Sequence, residues 1–195
     1  MQVDLEIPDR PQRRLALTFD AFDTHHHTIW LRYAHTQVGS RAAAEQVVDA
    51  ACARLLGHWQ YVLSRESVPQ YAWAVLKEEV ARWLDEHGAP EPLLADTAAF
   101  QAAIRKLLLP ETCDQFAVLE GEIGLYTAIS RLPERQYDVV VLRYVLQVPD
   151  EEVAEYMGIE VATVRSHVRH ARRRLARELD IRETETETMD RAPRR

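Results

Sequence analysis

The chain has 195 residues, 47% of them hydrophobic and 28% charged, with a formal net charge of -7 when histidine is neutral. These proportions suit a globular chain of one or two small domains, and the net acidity excludes a protein that coats nucleic acid through bulk positive charge. No apolar run approaches the ~20 residues that cross a bilayer. The opening "MQVDLEIPDRPQRR" lacks the apolar centre of a signal peptide, and two cysteines, Cys52 and Cys113, make no disulfide framework. The expected compartment is the cytoplasm, with no membrane partner.

Glycine is scarce, no long alternating apolar/polar segment occurs, and Ala, Leu, Arg and Glu dominate. The fold is therefore expected to be all-α, with two small helical domains joined by a linker. Residues 1–17 read as a mobile N-terminus. Helical patterning starts near Phe19, with Phe22, Ile29, Trp30, Tyr33 and Ala34 on one apolar face. "VGS" interrupts it, and Ser40 is placed to cap a second helix by accepting an N–H bond. In that helix Ala44, Val47, Val48, Ala51, Leu55 and Trp59 recur at three- and four-residue steps, as a buried face does. Cys52 is expected as a small core residue.

Pro69 suits the first turn of a third helix, "QYAWAVLKEEVARWLDEHG". Its apolar face is Ala72, Val75, Leu76, Val80 and Trp83, and Gly88 ends it. Residues 18–88 thus form a first domain. Residues 89–118 read as a linker containing a helix, "ADTAAFQAAIRKLLL", that stops at Pro110.

Residues 119–180 read as a four-helix domain: "GEIGLYTAISRL", then "PERQYDVVVLRYVLQ", then "PDEEVAEYM", then "VATVRSHVRHARRRLAREL". The third carries Asp150, Glu151 and Glu152 in its first turn, where the helix dipole favours anions. The polar tail 181–195 is expected to be disordered.

The last two helices have helix-turn-helix spacing. Ala154 is small where helices approach. Gly158, four residues on, can take the positive φ of a tight turn, and Val164 packs the second helix back. The second helix carries six arginines (Arg165, Arg169, Arg172, Arg173, Arg174 and Arg177) and no acid before Glu178. A charge run of this kind is commonly a solvated face. Here the turn spacing and the charge agree, which favours a helix that enters the major groove. The expected DNA contacts are Thr163, Arg165, Ser166, His167, Arg169, His170 and Arg173. Arg165 and Arg169 suit base edges, and the later arginines suit phosphate.

The stretch "AISRLPERQYDVVVLRYVLQVPDEEVAEYMGIEVATVRSHVRHARRRL" resembles domain four of bacterial RNA polymerase sigma factors, especially the extracytoplasmic-function group, over about 125–179. "LPERQ", "EEVAEYMGIEVATVRSHVRHARRRL" and the closing "RRRL" carry the likeness. The resemblance implies recognition of the −35 promoter element and docking on the flap of the polymerase β subunit. "AEQVVDAACARLLGHW" resembles, more weakly, the domain-two helix that docks on the β′ clamp helices. That likeness implies Glu45, Gln46 and Asp49 as polymerase contacts. An anti-sigma factor is a further candidate partner.

The sequence departs from the family in three places. The family's next helix carries Asn, Asp and Arg among aromatics to read and open the −10 element. Here "YAWAVLKEEVARWLDE" puts Glu78, Arg82 and Asp85 at those positions. Glu78, Glu79, Asp85 and Glu86 would repel phosphate, while Tyr71, Trp73 and Trp83 are candidates either for stacking on unpaired bases or for the core. Pro149 replaces a common Ser or Thr cap, with Asp150 expected to cap instead. His167 and His170 stand where basic residues are common, which makes contacts pH-sensitive if they titrate near neutrality.

Three readings remain open at the level of sequence. One is a sigma-like initiation factor. Another is a helix-turn-helix regulator that does not bind polymerase and uses 18–88 for dimerisation or ligand sensing. The third is a sigma-like interaction protein that has lost promoter melting. No phosphate loop, nucleophile elbow or paired-His zinc motif is present, so no catalytic residue, cofactor or metal is expected. The run His25–His27 invites a metal, but adjacent helical residues diverge while zinc needs converging ligands.

Overall fold

The computed structural model describes residues 10–88, 128–129 and 131–178. These form helices without strands, so the chain is all-α. The expected linker 89–118 with its helix, most of "GEIGLYTAISRL" and the tail 181–195 lie outside the described residues.

Helix α1 spans Arg10–Val38. It begins well before Phe19 and takes in residues 10–17, part of the segment expected to be mobile. Pro11 falls in its first turn, where a missing N–H breaks no helical bond. Gly39, at φ 77°, ends it, with its N–H bonded to the His35 carbonyl at 3.1 Å. Ser40 then caps α2 (Arg41–Gly57) by accepting from the Ala43 N–H at 3.1 Å. The short α3 (Trp59–Val62) follows. Ser67 caps α4 (Val68–His87) by accepting from the Gln70 N–H at 3.3 Å, and Pro69 sits in the first turn.

These helices share one core. α1 contributes Phe19, Trp30, Tyr33 and Ala34, and α2 contributes Ala44, Val47, Val48, Ala51 and Leu55. Small residues on α2 let the large rings of α1 interdigitate with it, which keeps the interior dense. Trp59 meets Phe19 edge-on at 5.1 Å and donates its indole N–H to Thr18 Oγ1 at 2.9 Å. From α4 the buried face is Ala72, Trp73, Val75, Leu76 and Val80. Trp73 stacks at a tilt on Tyr33, centroids 4.5 Å apart. Three members of the expected apolar faces differ: Phe22, Ile29 and Trp83 are half-exposed. Trp83 instead stacks on His87 one turn later, centroids 4.5 Å apart.

In the second half of the chain, α5 spans Glu134–Val140 and runs into a π-helical turn over Val141–Val145. The sequence reads as one helix here, but the wider turn intervenes. Val139, Val140, Val141 and Leu142 are all fully buried, so the segment is apolar all round and serves as a core helix. The π turn closes with the Leu146 N–H on the Val141 carbonyl and the Val148 N–H on the Leu142 carbonyl, both at 2.9 Å. Gln147 takes φ 61° there. Helix α6 spans Asp150–Met157 and α7 spans Val161–Glu178.

The described helices fall into two compact units. The first holds α1–α4 and takes in Ala154–Glu160; the second holds α5, the π turn and α7. No helix of the described residues is long and apolar enough to cross a membrane.

Candidate nucleic-acid interface

The turn between α6 and α7 is built on Gly158, whose φ is 61°. A side chain would strain that conformation. The Gly158 N–H bonds to the Glu155 carbonyl at 3.3 Å and the Ile159 N–H to the Ala154 carbonyl at 3.0 Å. These bonds satisfy carbonyls that the end of α6 leaves open. Val161 then starts the next helix with no acid in its first turn.

Helix α7 is sharply divided. Val164, Val168, Ala171 and Leu175 are buried and step by four, three and four residues, one line along the helix. Opposite them, by helical periodicity, Arg169, His170 and Arg173 are exposed, and Ser166 is half-exposed. Thr163 and Arg165 are exposed on the two flanks. Among the described residues Arg169, Arg173 and Arg174 form no ion pair. Six of the seven expected contact residues therefore share an accessible surface.

His167 differs from the other six. It is half-buried on the shoulder of the packed line. Burial, then the charges of Arg135 and His170, lower its pKa from the ordinary 6.5.

Arg165 is steadied from a residue the sequence assigned otherwise. Its Nε lies 3.4 Å from Asp150 Oδ2, and the Arg143 Nε lies 2.7 Å from Asp150 Oδ1. Asp150 is the first residue of α6, and Pro149 holds the cap position, its carbonyl accepting from the Val153 N–H at 3.0 Å. The expectation that Asp150 caps α6 is thus corrected: its carboxylate bridges two arginines. Arg143 carried no signal in the sequence, because the bridge depends on how the π turn delivers it. At the far end Arg131 pairs with Glu178 at 3.1 Å.

In the first unit, Glu45, Gln46 and Asp49 are all exposed on α2. Glu45 pairs with Arg41 at 2.9 Å. The acids of α4 are less uniform than expected. Glu79 is only 4% exposed and lies between Arg54 at 3.2 Å and Arg82 at 2.7 Å. Glu78 pairs with the same Arg54 at 2.6 Å, which raises the pKa of that guanidinium. The expected repulsion of phosphate by Glu79 does not apply to a buried, doubly paired carboxylate. Glu78, Asp85 and Glu86 are exposed. Trp73 belongs to the core, whereas Tyr71 and Trp83 keep a half-exposed face.

The histidine run separates by position. His25 is exposed, His27 half-buried and His26 buried. Desolvation, then the charge of His25, brings His26 down to about 4. Cys52 is half-buried rather than core. Burial, then its hydrogen bond to Asp23, pushes the thiol up to about 12.

Comparison with known proteins bears on the same segments. Residues 123–175, which include α5, α6 and most of α7, match the family described as "Sigma-70, region 4". Over 172 residues the chain is 27% identical to the RNA polymerase sigma-E factor of Streptomyces coelicolor, covering 84% of this chain and 87% of that protein. It is 26% identical over 156 residues to the protein of that name from Streptomyces antibioticus, covering 77% and 78%. The likeness to a third, from Streptomyces avermitilis, is 25% over 169 residues, covering 84% and 86%.

Proposed function

We propose that the chain is an RNA polymerase sigma factor of the extracytoplasmic-function type, which acts in transcription initiation by carrying core polymerase to promoter DNA. In this reading α7 enters the major groove at the −35 element. Arg165 and Arg169 meet base edges, Ser166 and Thr163 assist, and Arg173 and His170 hold phosphate. Glu45, Gln46 and Asp49 on α2 meet the β′ clamp helices, and the second unit meets the β flap. The place of action is the cytoplasm.

One observation carries the proposal: α7 keeps Arg169, Arg173 and Arg174 exposed without ion pairs among the described residues, over a fully packed opposite face, within the segment matching region 4. Unpaired cations gathered on one helix of an otherwise acidic protein make a focused basic surface that suits an anionic partner. Run-off transcription with core polymerase on a library of promoter fragments is the test. Enrichment of one −35 sequence, lost in Arg169→Ala, is the expected result. Transcription indifferent to the −35 sequence would sink the proposal.

A second reading keeps polymerase and promoter binding but drops strand opening. It is favoured by the burial of Trp73 and by Glu78, Asp85 and Glu86 at the surface of α4. Unpaired-thymine footprinting of the complex separates the two: reactive bases near −10 support an opening factor, and a fully paired duplex supports the second reading.

A further inference from the structure

Helices α1 and α2 bring together three ligating side chains that neither promoter nor polymerase binding employs. Asp23 and His27 stand one turn apart on α1 and so share a face. Cys52 approaches them from α2. The Cys52 Sγ lies 3.3 Å from Asp23 Oδ1, and the His27 Nδ1 lies 3.1 Å from that same oxygen. Two donors on different helices thus converge on one point. One ligand atom from each residue lies within 4.8 Å of the others.

These separations have a metric meaning. Zinc bonds of roughly 2.0–2.3 Å to O, N and S give a tetrahedron with edges of about 3.3–3.8 Å. The carboxylate–thiol and carboxylate–imidazole distances are already close to such edges. All three residues are half-buried, so a water has access to a fourth position. Among the described residues Asp23 has no ion-pair partner other than His27.

We propose that Asp23, His27 and Cys52 form a binding site for a single zinc ion, which ties α1 to α2. The mixed O, N and S donor set suits zinc rather than magnesium or calcium, which take oxygen ligands. On binding, the Cys52 S–H bond breaks and an S–Zn bond forms, with the proton released to solvent, while His27 ligates as the neutral imidazole. The carboxylate and the thiolate together balance the charge of the ion. Of the three consecutive histidines only His27 takes part, because its partners come from the turn before it and from another helix. The site stands independently of the sigma-factor reading.

The test uses the full chain, stripped with a chelator and titrated with cobalt(II), a spectroscopic stand-in for zinc. A thiolate-to-cobalt charge-transfer band that saturates at one ion per chain and is bleached by zinc is expected. Cys52→Ser should remove the band and Cys113→Ser should keep it. His27→Gln and Asp23→Asn should each weaken cobalt binding by at least roughly the 10–100-fold that even outer partners of metal ligands are worth. His27 has a 42% exposed side chain, so its replacement leaves the core untouched, and unchanged helical circular dichroism verifies this. Absence of the band in the wild-type chain, its survival in Cys52→Ser, or undiminished affinity in both His27→Gln and Asp23→Asn would overturn the proposal.

Discussion

Helices α4 and α7 both carry conspicuous charge, and they treat it in opposite ways. On α4 the central acid, Glu79, is buried between Arg54 and Arg82, and its neighbour Glu78 shares Arg54. On α7 the arginines stand over a packed line of Val164, Val168, Ala171 and Leu175; Arg165 reaches Asp150, while Arg169, Arg173 and Arg174 form no ion pair among the described residues. Charge neutralised inside the chain serves architecture. Charge left exposed on a rigid, well-seated helix is available to a partner. The contrast also explains why net charge is a poor guide here: part of the acidity of α4 is already spent on arginines, while much of the basicity of α7 is not.

The comparison breaks most visibly if α7 loses its seat. Leu175→Ala removes a fully buried side chain and should cost about 2–5 kcal/mol of stability. It should abolish promoter binding with it, as read by denaturant melts and fluorescence anisotropy. Retained binding in a melted α7 would mean that the arginines act without a rigid helix.

A matched pair of substitutions sharpens the contrast. Glu79→Gln keeps the shape of the side chain but loses the charge held by Arg54 and Arg82. It should lower stability by about 1–3 kcal/mol while the affinity of the folded protein for promoter DNA stays unchanged. Arg169→Ala should do the reverse. Stability should stay within about 0.5 kcal/mol, and promoter affinity should fall by about 1–3 kcal/mol with relaxed preference at one base pair. If Glu79→Gln weakened DNA binding with the fold intact, the division between architectural and contact charge would fail. Arg174→Ala should have a smaller effect, alike for all sequences, and should flatten the salt dependence of log K by about one.

Local patterning made α2 and α7 largely legible. Ser40, Gly39 and the apolar steps from Ala44 to Leu55 are short-range signals, and the structure uses each of them. The line Val164 to Leu175 was equally plain. Illegible features depend on pairing across distant segments. Nothing near Glu79 in the chain announces Arg54, so a buried carboxylate read as surface charge. Asp150 reads as a cap because caps are local, whereas its bridge to Arg143 needs the π turn after α5, and four consecutive buried apolar residues do not reveal a wider turn. The cluster of Asp23, His27 and Cys52 was half visible: the four-residue step on α1 is in the sequence, while Cys52 arrives only through the packing of α2. The early start of α1 was masked by Pro11, which reads as a breaker unless it falls in a first turn.

His167 yields the smallest effect and the finest test, because stability and binding should respond to acid in opposite directions. Burial and the charges of Arg135 and His170 hold its imidazole below the ordinary 6.5. Above that pH the ring is neutral in both the folded and unfolded chain, and its contribution to stability is fully present. As pH falls through 6.5 the unfolded chain takes up a proton first, so stability declines until the lower folded pKa is reached. A nearby phosphate reverses the preference, because it favours the charged ring. Promoter affinity should therefore rise over the same fall in pH, with proton uptake on binding measurable by calorimetry in buffers of different ionisation enthalpy. His167→Gln should make both curves shallower, the stability slope that remains belonging to the buried His26, brought down to about 4. If it makes the stability curve alone shallower, then His167 serves only the packing of α7 and the reading surface is confined to the side opposite the buried line.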